Sequence, residues 1–186
     1  MKTFGENYRL ILGEIGQALD GVDEAQVEAF IKALLEAEQV FFIGVGRVML
    51  ALEAMAKRFQ QLGVKTHCVG DINEPPITDR DLLVIGSGSG ESVVPVAIAR
   101  LAAKYGARIA HLGSNPNSSL APFTTIFVRI PVATKLNLPG EIPSKQLMTS
   151  LFDQSLYVFS DAVSLLIAER KGWAAKDLWR GHANLE

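Results

Sequence analysis

Disulfide chemistry is closed to this chain, because its 186 residues include a single cysteine, Cys68, and one thiol has no internal partner. Valine-flanked and at the end of an apolar run, Cys68 reads as a core residue of a protein kept in a reducing, cytoplasmic compartment. An excess of one charge is lacking too. The 18 lysines and arginines against 20 aspartates and glutamates leave a net charge of -2 and a pI near 5.9, so there is no broad positive field to hold nucleic acid by its phosphates. A small anion needs only a local site. No stretch approaches the ~18 uncharged apolar residues of a membrane span, and the opening MKTFGENYRL holds no long apolar block, so neither a membrane segment nor a leader is expected. Metal motifs are missing as well: His67, His111 and His182 are scattered, with no cysteine pair and no HExxH. His67 and His111 fall in or beside strand patterns, where a hydrogen-bonded structural histidine is expected. Nucleotide motifs fail at single positions. No Gly-Lys-Ser/Thr ends a phosphate loop, and Met49 stands where a dinucleotide fingerprint beginning at Gly44 would need its third glycine. No cofactor and no metal are expected.

What is present is an alternation of helical and strand patterns in a chain that is 48% hydrophobic and of a length suited to one domain over 1–186. Residues 4–20 and 23–37 read as amphipathic helices, the second opening on acidic residues and repeating apolar positions at Val27, Phe30, Ile31, Leu34 and Leu35. Residues 39–45 (QVFFIGV) are a continuous apolar run of the kind buried on both faces of a parallel sheet. A helix over 48–62 follows, then strands at 65–69, 82–85, 108–112 and 125–130, a helix over 91–105, and a single helical turn near 118–121. Helix and strand alternating over 39–130 imply βαβ units. The expected architecture is a doubly wound, five-stranded parallel sheet of order 2-1-3-4-5 flanked by helices. Residues 131–143 (PVATKLNLPGEIP) form a loop too broken for regular structure and long enough to be functional. From 144 to 169 the pattern predicts one long helix, apolar on nearly every side, which must be covered on both sides and so implies a homo-oligomer. The C-terminal tail reads as a short helix and an extended end.

Two loops belong together by topology. Gly44-Val45-Gly46-Arg47 follows the first strand and Ser87-Gly88-Ser89-Gly90-Glu91-Ser92 the third. In a 2-1-3-4-5 sheet those strands are neighbours where the winding reverses, and ligands bind in that crevice. The serine loop offers unobstructed amides, three hydroxyls and the start of a helix, a set that suits phosphate. One serine before a helix is ordinarily a cap; three interleaved with Gly88 and Gly90 exceed what capping requires. Arg47 can hold a phosphate or sugar oxygen, or simply open its helix in solvent.

These residues resemble the sugar isomerase (SIS) domain and, within it, the 6-phospho-3-hexuloisomerases. The resemblance runs from about residue 40 onward, through FIGVGR, AKRFQQLGVKTHCVGD, DLLVIGSGSGES, LMTSLFDQ and the terminal HANLE. It implies a cofactor-free isomerase that moves a carbonyl between C3 and C2 of a hexulose 6-phosphate through a cis-enediol, acting as a dimer or tetramer with sites at subunit interfaces. Ser87, Ser89 and Ser92, with Gly46, Gly88 and Gly90, would hold the phosphate, and Arg47 would line the site. The family's general base is a glutamate in a pattern like MGTLFEQ; here Met148-Thr149-Ser150-Leu151-Phe152-Asp153-Gln154 places Asp153 there. Val48 replaces a serine common after the arginine, and Gly181 an arginine common before HANLE. His182 is the expected helper in proton transfer or ring opening, reaching a neighbour's site. A non-catalytic phosphosugar sensor using the same loop stays open at this stage. A DNA-bound regulator is disfavoured, since residues 1–38 carry eight acids against three bases.

Overall fold

Thr3 opens the first helix with a reciprocal cap, its hydroxyl accepting the Glu6 amide at 3.2 Å while the Glu6 carboxylate accepts the Thr3 amide at 2.6 Å. Helix α1 then runs Phe4–Asp20, and α2, capped by the Asp23 carboxylate on the Ala25 amide, runs Glu24–Glu36. The structure, a computed structural model, describes residues 3–182. Beyond α2 come β1 (Val40–Ile43), α3 (Arg47–Gln61), β2 (Thr66–Cys68), β3 (Leu82–Gly86), α4 (Val93–Lys104), β4 (Arg108–Gly113), β5 (Ile126–Arg129), α5 (Ser150–Arg170) and the short α6 (Ala175–Leu178). The strands pair in parallel in the order β2-β1-β3-β4-β5, as the sequence pattern predicts. No helix separates β2 from β3; residues 69–81 cross as irregular chain, tied by the Asp81 carboxylate to the Thr78 amide and hydroxyl.

Alternation along the strands divides the core into two layers. Phe41, Ile43, Leu83, Ile85 and Ile109 face Ala99 and Ala102 of α4, while Val40, Phe42, Leu82, Val84, Ala110 and Leu112 face the layer of α1, α2, α3 and α5. Phe59 of α3 lies 6.5 Å from Phe30 and 6.3 Å from Phe42, and Phe30 lies 6.0 Å from Phe159. These rings join α2, β1, α3 and α5, each burial contributing ~1.5–3 kcal/mol before entropy is counted. The framework that holds the carboxyl ends of β1 and β3 is therefore rigid.

Two expectations are corrected. The long helix begins at Ser150, not 144, because Glu14 of α1 captures the preceding chain: its buried carboxylate accepts the Ser144 hydroxyl at 2.6 Å, the Lys145 amide at 2.9 Å and the Gln146 side-chain amide at 3.1 Å. Met148 then takes a left-handed backbone, φ 56°, which no helix interior allows. Cys68 is half-buried, because β2 is an edge strand and one flank lacks a neighbour. Burial, with Asp71 and Glu53 adding, still pushes its thiol up to about 11, so it stays protonated near neutrality.

α5 is the one described helix with the length and hydropathy of a membrane span. Its Leu151, Leu156, Phe159, Val163 and Ile167 are instead core residues of the helical layer.

Candidate functional site

The site is built at the carboxyl ends of β1 and β3. Gly86 ends β3 where Val48 and Leu52 of α3 press closest; a Cβ there would lie 2.8 Å from Val48 Cγ1. The chain then turns through the serine loop, and the loop's carbonyls are held from beneath. Ser87 O meets His111 Nε2 at 2.9 Å, Gly88 O accepts the Ser114 and Asn115 amides at 2.9 and 3.2 Å, and Ser89 O accepts Asn115 Nδ2 at 3.1 Å. With three successive carbonyls turned into the protein, the amides of Gly88, Ser89 and Ser92 have no protein acceptor among the described residues. Ser87, Gly88, Ser89 and Ser92 line a cavity of about 200 Å³ together with Val45, Val48, Thr134, Lys135, Thr149 and Phe152. An array of unpaired amides at a helix start is an anion cradle.

The capping alternative is now decided. Ser92 is the residue before α4, and its hydroxyl makes no capping bond. Ser87 and Ser89 act inside the loop, their hydroxyls accepting the Gly90 amide at 3.1 Å and the Glu91 amide at 3.3 Å. The Ser87 and Ser92 hydroxyls lie 3.5 Å apart, so both are available to one ligand group.

Gly90 does not line the cavity. Its φ is 68°, and a Cβ there would lie 2.2 Å from Ser118 Oγ and 3.1 Å from His111 Cε1, so glycine is demanded twice, by backbone and by space. Gly46 precedes α3 with φ 58° and an open surround; it turns the chain rather than touching the cavity. Arg47 is also displaced from its expected place. It lies on an adjoining cavity of about 250 Å³, lined by Arg47, Leu50, Ala51, Asp153, Gln154 and Tyr157. There Arg47 Nε donates to Asp153 Oδ2 at 2.5 Å; the carboxylate is buried and the guanidinium largely exposed. The first turn of α5 separates the cavities, Thr149 and Phe152 facing one and Asp153 and Gln154 the other. Asp153 Oδ1 is buried with no hydrogen-bond partner among the described residues.

His182 stands elsewhere. It stacks on Trp179 with ring centroids 5.0 Å apart, next to Gly181, whose Cα packs against the Gln61 backbone at the far end of α3. Fourteen helical rises separate Gln61 from Arg47, about 21 Å, so His182 does not meet its own subunit's serine loop. Residues 183–186 of the HANLE tail lie outside those described.

Sequence reasoning misses three contributors. It marks His111 as structural, but not as the prop of the serine loop; the ring is almost wholly buried, and that burial holds it down at about 4 despite the opposing bond to Ser87 O. Thr134 and Lys135 come from the 131–143 loop, whose only signal is its length.

Comparison with known proteins places this geometry. The SIS domain matches residues 33–157. The chain belongs to the SIS family. This SIS chain is 34% identical over 176 residues to the 3-hexulose-6-phosphate isomerase of Bacillus subtilis, covering 95% of each protein, and 37% identical over 180 residues to that of Mycobacterium gastri, covering 97% and 90%. Its fold matches a Methanococcus jannaschii protein whose structure was taken to infer a 3-hexulose-6-phosphate isomerase function, with a TM-score of 0.82 at 23% identity over 97% and 99% of the two chains. It also matches an E. coli CFT073 protein solved in complex with a phosphosugar, TM-score 0.78 at 24% identity over 95% and 93%.

Proposed function

We propose that this SIS chain is a phosphosugar isomerase interconverting 3-hexulose 6-phosphate and fructose 6-phosphate. The observation that carries the reading is the serine loop, with carbonyls anchored inward and amides and hydroxyls turned to the cavity. Its phosphate anchor would fix the sugar across the turn between the two cavities. The chemistry is proton transfer: a base takes the C2 proton of the 3-ketose, a cis-enediol spans C2 and C3, a proton returns to C3, and the O2 proton leaves as the carbonyl forms at C2. Asp153 is the base in this reading, and release of its Arg47 partner toward the sugar oxygens would free the carboxylate. His182 serves a neighbouring subunit, in an oligomer that covers the apolar Leu50, Tyr157 and Leu165 left exposed on α3 and α5. A reducing, cytoplasmic setting suits the single thiol.

A sensor reading is favoured by one observation, the Arg47–Asp153 pair, which occupies the proposed base and places it on the neighbouring cavity. Turnover separates the two. The isomerase reading predicts that the wild type interconverts the two hexulose phosphates and that Asp153→Asn loses about 100-fold or more in kcat while still binding fructose 6-phosphate. Binding without turnover in the wild type establishes the sensor, and unchanged turnover in Asp153→Asn removes Asp153 as the base.

A further inference from the structure

We propose that Lys135, at the tip of the loop after β5, is the cation of the serine-loop cavity and contacts the ligand's phosphate directly. This rests on the phosphosugar reading of the site and adds the group that balances the phosphate's charge. The need for one follows from the neighbours. A phosphomonoester carries about -1.5 to -2 near neutrality, whereas a helix start contributes only about half a positive charge. α4 is a weak example, because Pro95 at its third position has no amide to offer. Arg47, the arginine expected there, is engaged with Asp153 on the adjoining cavity. Among the residues lining the serine-loop cavity, Lys135 alone is charged.

The loop is built to present it. The Glu141 carboxylate accepts the Thr134 amide at 3.1 Å, the Thr134 hydroxyl at 3.0 Å and the Leu138 amide at 2.8 Å, closing the chain around residues 135–137. The Leu136 amide returns to the Thr134 hydroxyl at 3.2 Å. Lys135 is left exposed beside a cavity whose floor is Thr134. It forms no ion pair among the described residues. Of the two acids nearby, Glu141 is occupied by the loop, and the Glu91 carboxylate accepts the Ser119 amide at 2.8 Å and hydroxyl at 2.5 Å. Glu91 acts on Lys135 only through its field, drawing the ammonium toward the serine loop without capping it.

Titration calorimetry of wild type, Lys135→Met and Lys135→Arg with fructose 6-phosphate, fructose and inorganic phosphate tests this, with thermal melting to confirm that each variant is folded. Lys135→Met is expected to weaken both phosphate ligands about tenfold or more, since a charge-assisted bond is lost, and to flatten the dependence of affinity on salt. Lys135→Arg should recover most of both. Equal affinity and equal salt dependence in wild type and Lys135→Met overturn the assignment while leaving the site's reading intact. Failure of the wild type to bind either phosphate defeats that reading and the role of Lys135 with it.

Discussion

At the residue scale, the serine loop's geometry depends on one neutral histidine. Desolvation of His111 opposes its protonation far more than the Ser87 carbonyl favours it, leaving the ring at about 4 in the folded protein against 6.5 when exposed. The unfolded chain therefore binds the extra proton first. The stability that His111 lends is complete above pH 6.5 and falls as pH drops toward 4, by about 3 kcal/mol at that pH. Urea unfolding from pH 7 to 4.5 should show a steeper loss for the wild type than for His111→Leu, which does not titrate there. His111→Leu should also cost about 1–3 kcal/mol at pH 7, for a buried carbonyl losing its partner; parallel pH curves would contradict this role. The sequence places His111 in a strand and predicts a satisfied ring. It does not show that the partner is Ser87 O, 24 residues away. The Arg47–Asp153 pair spans 106 residues and is equally invisible there, because an arginine at a helix start and an aspartate on a helix face are each ordinary in solvent.

At the element scale, the strands are legible in the sequence and the ends of helices less so. Continuous apolar runs such as residues 40–43 mark parallel strands whatever surrounds them, and the sheet order follows from short right-handed connections. The start of α5 is not legible, since residues 144–149 fit a helical pattern and the force that keeps them out of the helix is tertiary. Glu14 supplies that force. Burial raises its pKa, but the bonds from Ser144, Lys145 and Gln146 together outweigh it and leave the carboxyl below its usual value. The clasp is thus complete above the unfolded pKa and opens as pH falls through the folded one. Glu14→Gln replaces one acceptor oxygen by a donor and should cost about 1–3 kcal/mol. Hydrogen exchange should quicken at Lys145, Gln146 and the start of α5 while β1 and β3 stay protected; unchanged exchange there would show that α1 does not set where α5 begins. The 131–143 loop is recognisable by its length, yet its ordering by Glu141 depends on contacts that a proline-broken sequence does not announce.

At the scale of the whole molecule, the fold brings two glycine-bearing loops to one crevice and then divides the crevice with the first turn of α5. One side holds amides, hydroxyls and Lys135; the other holds the Arg47–Asp153 pair. A phosphate anchored on the first side leaves a six-carbon chain to reach across toward the second, which is why an isomerase of a phosphorylated ketose fits better than an enzyme acting on the phosphate itself. The central claim is that the serine loop grips a phosphomonoester, and thermal melting tests it most directly. A ligand that binds only the folded state raises stability by RT ln(1 + [L]/Kd). Fructose 6-phosphate should raise the melting temperature in proportion to the logarithm of its concentration, and fructose at the same concentrations should leave it unchanged. Equal shifts from both sugars, or none from either, would contradict the account.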